Sequence, residues 1–454
     1  MAAQQPTKAE DSPWPDATYA WFVVVILALA NAVSFVDRLI LSLLVPEIKA
    51  DLGLSDTEIS LLQGFAFALF YAFMGLPIAR LADSKNRKYI IVIGVTLWSI
   101  MTAVCGLARN FTQIFLARVG VGVGEASLSP SAYSILADYF PPNKLALPIG
   151  VFSAGVSGGM GLSLIAGAAA IQAVAAIGVV YIPFIGPLAN WRLVFIMVGT
   201  LGIVIVVLMM FVREPIRRDA QTVKANDRQS VTSIPIKEVW AYLKANWKLY
   251  LFVMGGYGFT SISIYGVLSW TPAFYMRSFG VTASEAGFIM GAFALLGGIS
   301  GAIFGGALAD WLERRGDENA KLRILFICCL VLIFPGIIAP LMPNVWLAAS
   351  VLFFSFFFGT MPAGPTGAFV QIITPNRMRA QFGAIYQFAL NLLGIGIGPT
   401  AVALITDYVF MDELMVRYSI AITVAIFNPL AALFVWLGFR HYPKVRDSLV
   451  IAKA

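Results

Sequence analysis

Hydrophobic and polar positions fall along this chain in long blocks, not in short alternation. Apolar stretches cover about 20–45, 57–82, 89–108, 112–140, 146–172 and 192–212. A second set covers about 249–275, 284–309, 323–341, 345–373, 380–407 and 414–440. Each is long enough to cross a bilayer as a helix, which takes roughly 20 residues. Lipid offers no partner for a free N–H or C=O, so a crossing segment of this kind must be helical. The pattern predicts an all-α membrane protein with twelve transmembrane helices. Between 172 and 192 the apolar run is interrupted by Gly178, Pro183, Gly186 and Pro187. That interval predicts an extended outer loop, with a re-entrant course as the other option. The one long polar interval, 213–248, separates a first half (20–212) from a second (249–440), between a tail at 1–19 and another at 441–454. Within it, IKEVWAYLKANWK at 236–248 predicts an interfacial amphipathic helix with Trp240, Leu243 and Trp247 on one side.

Composition agrees. Of the 454 residues, 59% are hydrophobic and 12% charged, about half the charge of a soluble protein. The net charge of +7 is no sign of nucleic-acid binding, because the basic residues lie in short loops between apolar spans. With the N-terminus inside, 24 of the 31 Lys and Arg fall in cytoplasmic segments and five in outer loops: Lys49, Arg109, Arg192, Arg277 and Arg417. This bias orients both termini to the cytoplasm of a cell (inner) membrane. The first 19 residues carry Lys8 against Glu10, Asp11 and Asp16. They lack the basic start of a signal peptide, so the first span reads as a retained helix. Cys105, Cys328 and Cys329 lie in apolar spans and show neither a disulfide framework nor metal-ligand spacing. The single histidine, His441, follows the last span. No catalytic constellation, cofactor site or metal site emerges. GVGVGE at 120–125 is glycine-rich, but no strand precedes it, and no phosphate-binding loop accompanies it.

The chain also repeats itself. ARLAD at 79–83 and GALAD at 306–310 each end the second span of their half. They lie 227 residues apart, half the chain, and basic residues follow both. Half-chain repeats of this kind mark a duplicated six-helix transporter. The aspartates sit where they can cap a helix or meet a neighbouring Arg, which predicts a cytoplasmic gate built from Asp83, Arg87, Asp310 and Arg314.

The remaining two basic residues, Arg38 and Arg118, lie inside spans with Asp37 and Glu125. Ionisable groups at membrane depth are costly and face a partner or a water-filled cavity. Arg118 and Glu125, seven residues apart, recur on nearly one helix face about 10.5 Å apart along the axis. That rise is long for a direct ion pair, so partners on other helices are expected. Gly120, Gly122 and Gly124 between them admit a close neighbouring backbone. Asp37 and Arg38 point about 100° apart, so one can face a cavity while the other faces a helix. A structural pair that locks two helices and a coupling site both fit this pattern.

These residues carry a resemblance. The GxLAD repeat resembles the signature of the major facilitator superfamily over essentially the whole chain. SFVDRLILSLLVPEI at 34–48, ADSKNRK at 82–88, RVGVGVGEASLSPSAYSILADYF at 118–140 and NWRLVF at 190–195 resemble the Spinster lipid transporters. Ser84 and Ala79 depart from the usual Arg and Gly. The resemblance implies two six-helix bundles, a lysolipid or sphingosine phosphate class of substrate and, as in several members, protons as coupling partner. It carries site roles onto Asp37, Arg38, Arg118 and Glu125. With the charges above, Asp37 reads as the principal proton site and Glu125 as the second, while Arg118 holds either Glu125 or the substrate's anionic head.

The second half offers aromatic residues instead of buried charge. Tyr257, Tyr265, Tyr386 and Asn391, with Tyr133 of the first half, are the candidate cavity residues. The expected function is proton-coupled secondary transport of an amphipathic lipid-like anion by a monomer in the bilayer. The alternatives are symport of a small organic anion such as a sugar acid, and a non-transporting lipid-binding membrane protein.

Overall fold

The computed structural model describes residues 14–141, 144–178, 180–182, 186–217, 236–375 and 378–451. Eleven of its helices are long and apolar enough to cross a membrane. The twelfth crossing, the fourth in order, is broken into Phe111–Glu125 and Leu128–Tyr139. Pro130 in the first turn of the second piece lacks the N–H that would continue the ladder. The predicted single span at 112–140 is therefore two helices, and the break falls directly after Glu125.

Polar caps set where crossings begin. The first helix, Ala17–Leu43, starts behind Asp16, whose carboxylate accepts from the Tyr19 N–H at 3.1 Å. Asn86, Asn110 and Asn344 cap the third, fourth and tenth crossings in the same way. Ser55–Glu58 and Thr282–Glu285 form reciprocal capping boxes at the outer ends of the second and eighth.

The interval 172–192 departs from its prediction of a loop throughout. The fifth helix, Ala146–Ile177, runs on through its alanine-rich end to Gly178, at φ 76°. An antiparallel ribbon follows, pairing Val180–Ile182 with Gly186–Leu188. The linker segment forms the helix Ile236–Ala245, which leads into the seventh crossing, Trp247–Phe279. The part of the linker at 218–235 lies outside the described residues. At the other end the twelfth helix, Val416–Ile451, continues past the predicted boundary at 440.

Two seams join the halves, each built on glycine. In one, the fifth helix meets the eighth, Ala283–Arg314. A Cβ on Gly161 would sit 2.4 Å from the Leu295 nitrogen, and one on Gly291 would sit 2.8 Å from the Gly161 carbonyl oxygen. In the other, the second crossing (56–84) meets the eleventh (379–410). There a Cβ on Gly64 would lie 2.2 Å from the Ile395 carbonyl oxygen. Both strands of this second seam are π-helical at the contact, over Leu61–Phe65 and Asn391–Ile397. Contact this close between backbones excludes any side chain.

Candidate functional site: a buried charge set in the first half

The glycines of the fourth span seat it against its neighbours. A Cβ on Gly122 would lie 2.6 Å from the Phe67 carbonyl oxygen of the second crossing, and one on Gly124 would lie 2.7 Å from the Gly94 carbonyl oxygen of the third. This close packing brings Arg118 and Glu125 within reach of the first helix. Glu125 Oε2 accepts from Arg38 Nε and pairs with Arg38 Nη2, each at 2.6 Å. The Arg38 guanidinium lies over the rings of Phe35, Phe67 and Tyr71 at 4.8, 4.6 and 5.2 Å, geometry in which ring quadrupoles favour a cation. Arg118, fully buried, donates to backbone carbonyls: Nε to Leu62 at 3.2 Å and Nη1 to Asp37 at 2.8 Å. Asp37 is also buried, and its Oδ1 has no hydrogen-bond partner. With all four ionised, these two acids and two bases sum to zero charge.

Glu125 takes its partner from another helix: it meets Arg38, not Arg118, because helical rise separates the fourth-span residues while helix packing brings the first span alongside. Arg118 is walled in behind the first helix. Arg38 keeps 16% side-chain exposure and lines a cavity between the halves with Gln63, Phe67, Tyr265 and Ser269. Of the five candidate cavity residues, Tyr265 is placed there. Tyr257 and Tyr386 stack on each other at 6.1 Å and join the core of the second half. Tyr133 stands edge-on to Phe152 at 5.2 Å. Asn391 opens the π-helical stretch of the eleventh crossing and is half-buried.

The predicted gate is corrected in one member. Arg87 is buried inside the first half, where Nη1 bonds Asp138 at 2.5 Å and Nε bonds Glu214 at 2.7 Å. It locks together the ends of the third, fourth and sixth crossings that lie nearest the linker. Asp310 and Arg314 are exposed on the eighth, and the Asp83 side chain lies outside the described residues.

Sequence reasoning missed a second charged cluster, at the outer end. Asp56, fully buried, takes both Arg277 amino groups at 2.7 Å each and also pairs with Lys49. Glu413 pairs with Lys49 at 2.6 Å and with Arg277 at 3.3 Å. Beside them the Thr57 N–H and hydroxyl both donate to Asp407 at 2.7 Å. Residues 49–57 belong to the first half and 277–413 to the second, so these bonds clamp the halves together at the end that the basic-residue bias of the sequence assigns to the outer side. A signal was present: Lys49 and Arg277 are two of only five outer basic residues.

Asp56→Asn keeps the shape but leaves Lys49 and Arg277 with the exposed Glu413 as their one remaining acid in the cluster. Losing one partner of a buried charged contact costs about 2 kcal/mol or more, roughly 30-fold in the closed population. Spin-label distances across the outer ends should lengthen in this variant. An unchanged distribution would remove the cluster from the closing mechanism.

Two six-helix halves, clamped at one end, with a buried charge set in the first half beside the cavity between them, define a secondary transporter. The chain belongs to the Major Facilitator Superfamily, whose family model matches residues 27–399. It is a transporter and not an enzyme. It is 29% identical over 431 residues to an MFS-type efflux pump of Mycolicibacterium smegmatis, covering 93% of each chain. It is 27% identical to the probable L-galactonate transporter of Escherichia coli, over 85% of this chain and 82% of that one. The crystal structure of a bacterial homologue of the human lysosomal transporter Spinster, inward-facing and unoccupied, superposes with a TM-score of 0.78 at 28% identity. That match covers 95% of this chain and 99% of the other.

Proposed function

We propose that this transporter couples protons to the movement of an anion through alternating access of its two halves. The observation that carries the reading is the Arg38–Glu125 pair, in which the cation facing the cavity is neutralised by a carboxylate rather than by a ligand. An anionic substrate that binds Arg38 competes with Glu125. Once displaced, Glu125 is a buried carboxylate without its counter-ion, and a proton removes that charge. Substrate and proton then favour one another's binding, and by linkage the effect is mutual. Asp37, beside Arg118, is the principal proton site. Asp83 and Asp310, with Arg314, close the cytoplasmic side when the halves rock the other way. The transporter works as a monomer, with both termini on the cytoplasmic side of the cell membrane, in line with the distribution of its basic residues.

The leading substrate class is an amphipathic lipid-like anion, supported by the similarity to the Spinster homologue and by the aromatic wall around Arg38. A sugar acid is the second reading, supported by the relative described as a probable L-galactonate transporter and by the polar residues Ser42, Gln63 and Ser269 around the cavity.

Purified protein in proteoliposomes tests both. A pH gradient of one sign should drive accumulation of labelled lysophosphatidic acid or of glucuronate, and a protonophore should abolish it. Movement indifferent to gradients of either sign would refute proton coupling.

A further inference from the structure

We infer that Gln63, with Ser42, forms a hydroxyl-recognising subsite beside Arg38, so that the transported anion carries a hydroxyl close to its charged group. This inference rests on the anion reading of Arg38. Gln63 lies in the π-helical stretch of the second crossing and lines the cavity that Arg38 also lines. It is 8% exposed. Its Nε2 donates across the interface to the Ser269 carbonyl at 3.5 Å. That contact fixes which end of the amide is which: the nitrogen is committed to the second half. The Oε1 is buried and has no partner. A buried carbonyl oxygen without a donor is costly, and native interiors keep few of them. A leucine at this position would carry no such cost.

Ser42 adds the same chemistry. Its hydroxyl donates to the Leu39 carbonyl at 2.6 Å, so what it can still offer the cavity is lone pairs. The cavity wall therefore holds a guanidinium together with one amide oxygen that lacks a donor and one hydroxyl that can still accept one. A bare carboxylate or phosphate satisfies the first and meets repulsion from the second. An anion with a neighbouring O–H satisfies both. Two sources supply that arrangement, a hydroxy-carboxylate of the sugar-acid type and a lysophospholipid with a free glycerol hydroxyl. The Gln63–Ser269 bond spans the two halves one helical turn below the Ser60–Thr400 contact. The subsite is thus complete when the outer side is closed, and hydroxyl recognition is tied to that conformation.

Sites built to hydrogen-bond a substrate hydroxyl discriminate strongly against analogues that lack it. Binding to the purified full-length chain should be measured with two probe pairs. The first is D-glucuronate and tetrahydropyran-2-carboxylate; the second is 1-oleoyl lysophosphatidic acid and its 2-deoxy counterpart. Wild type should prefer the hydroxylated member of at least one pair by roughly 10-fold or more, and the pair that shows it identifies the source. Gln63→Leu should bring that preference to within about twofold while the deoxy member binds as before. Gln63→Met serves the same purpose if the leucine variant folds poorly. A preference that survives both substitutions, or equal wild-type binding within each pair, overturns the subsite and leaves the anion reading intact. Absence of saturable binding by all four probes, together with no effect of Arg38→Ala, overturns the anion reading and the subsite with it.

Discussion

Arg38→Ala should reduce transport at least about 100-fold and destabilise the protein, and adding Glu125→Gln to it should restore stability without restoring transport. Removing one partner of a buried ion pair leaves an uncompensated charge and costs about 3–5 kcal/mol. Glu125 is 1% exposed and held through Oε2 by Arg38, so the single variant bears most of that penalty. The double variant removes both charges and most of the penalty, but also the group that receives the substrate. Thermal unfolding in detergent and uptake into proteoliposomes separate the two effects. If the single variant transports within threefold of wild type, Arg38 is not the substrate's contact. If the double variant transports normally, the pair is a structural lock between the first and fourth spans.

Asp37→Asn should uncouple the cycle. The substitution is nearly isosteric and sits in a position where the side chain is buried and Arg118 is held by the backbone carbonyl, not by the carboxylate. Packing should therefore survive. What is lost is a titrating group among three other charges, Glu125, Arg118 and Arg38. Accumulation against a gradient should collapse to simple equilibration, while exchange of labelled for unlabelled substrate persists within several-fold. If the variant keeps a wild-type dependence of transport on pH, Asp37 is structural and the proton route runs elsewhere.

Membrane-spanning order, half-chain duplication and the identity of the buried charges were legible in the sequence because each follows from composition at a known depth. Arg38, Asp37, Arg118 and Glu125 stand out as soon as the apolar blocks are drawn. Their pairing was not legible, because it depends on helix rotation. The sequence places Arg118 and Glu125 on one face, and only the packing of the first span shows that Arg38 reaches Glu125 while Arg118 turns to backbone carbonyls. Arg87 misled for a similar reason. Its position after a repeated motif implied contact between halves, yet its partners are Asp138 of the same half and Glu214 at the start of the linker that follows it. The outer cluster was hidden by distance in sequence: Lys49 and Asp56 share one stretch, but Arg277 and Glu413 come from two others far along the chain. Gln63 carries no signal in the sequence pattern; its unpartnered oxygen and its place in the cavity wall with Arg38 come only from the packing.

The two glycine seams have a mechanical meaning of their own. Surfaces that interlock through side chains must lift each knob out of its hole before they part, whereas backbones laid against Gly64, Gly161 and Gly291 have no knobs at these points. They part and meet again without rotamer rearrangement, like two smooth plates held by a latch at one edge. The charges around Asp56 then act as a latch on these plates, beside the apolar contacts that the halves also share. Natural variation could slow or bias such a machine one methyl group at a time, by thickening a plate, without weakening either half.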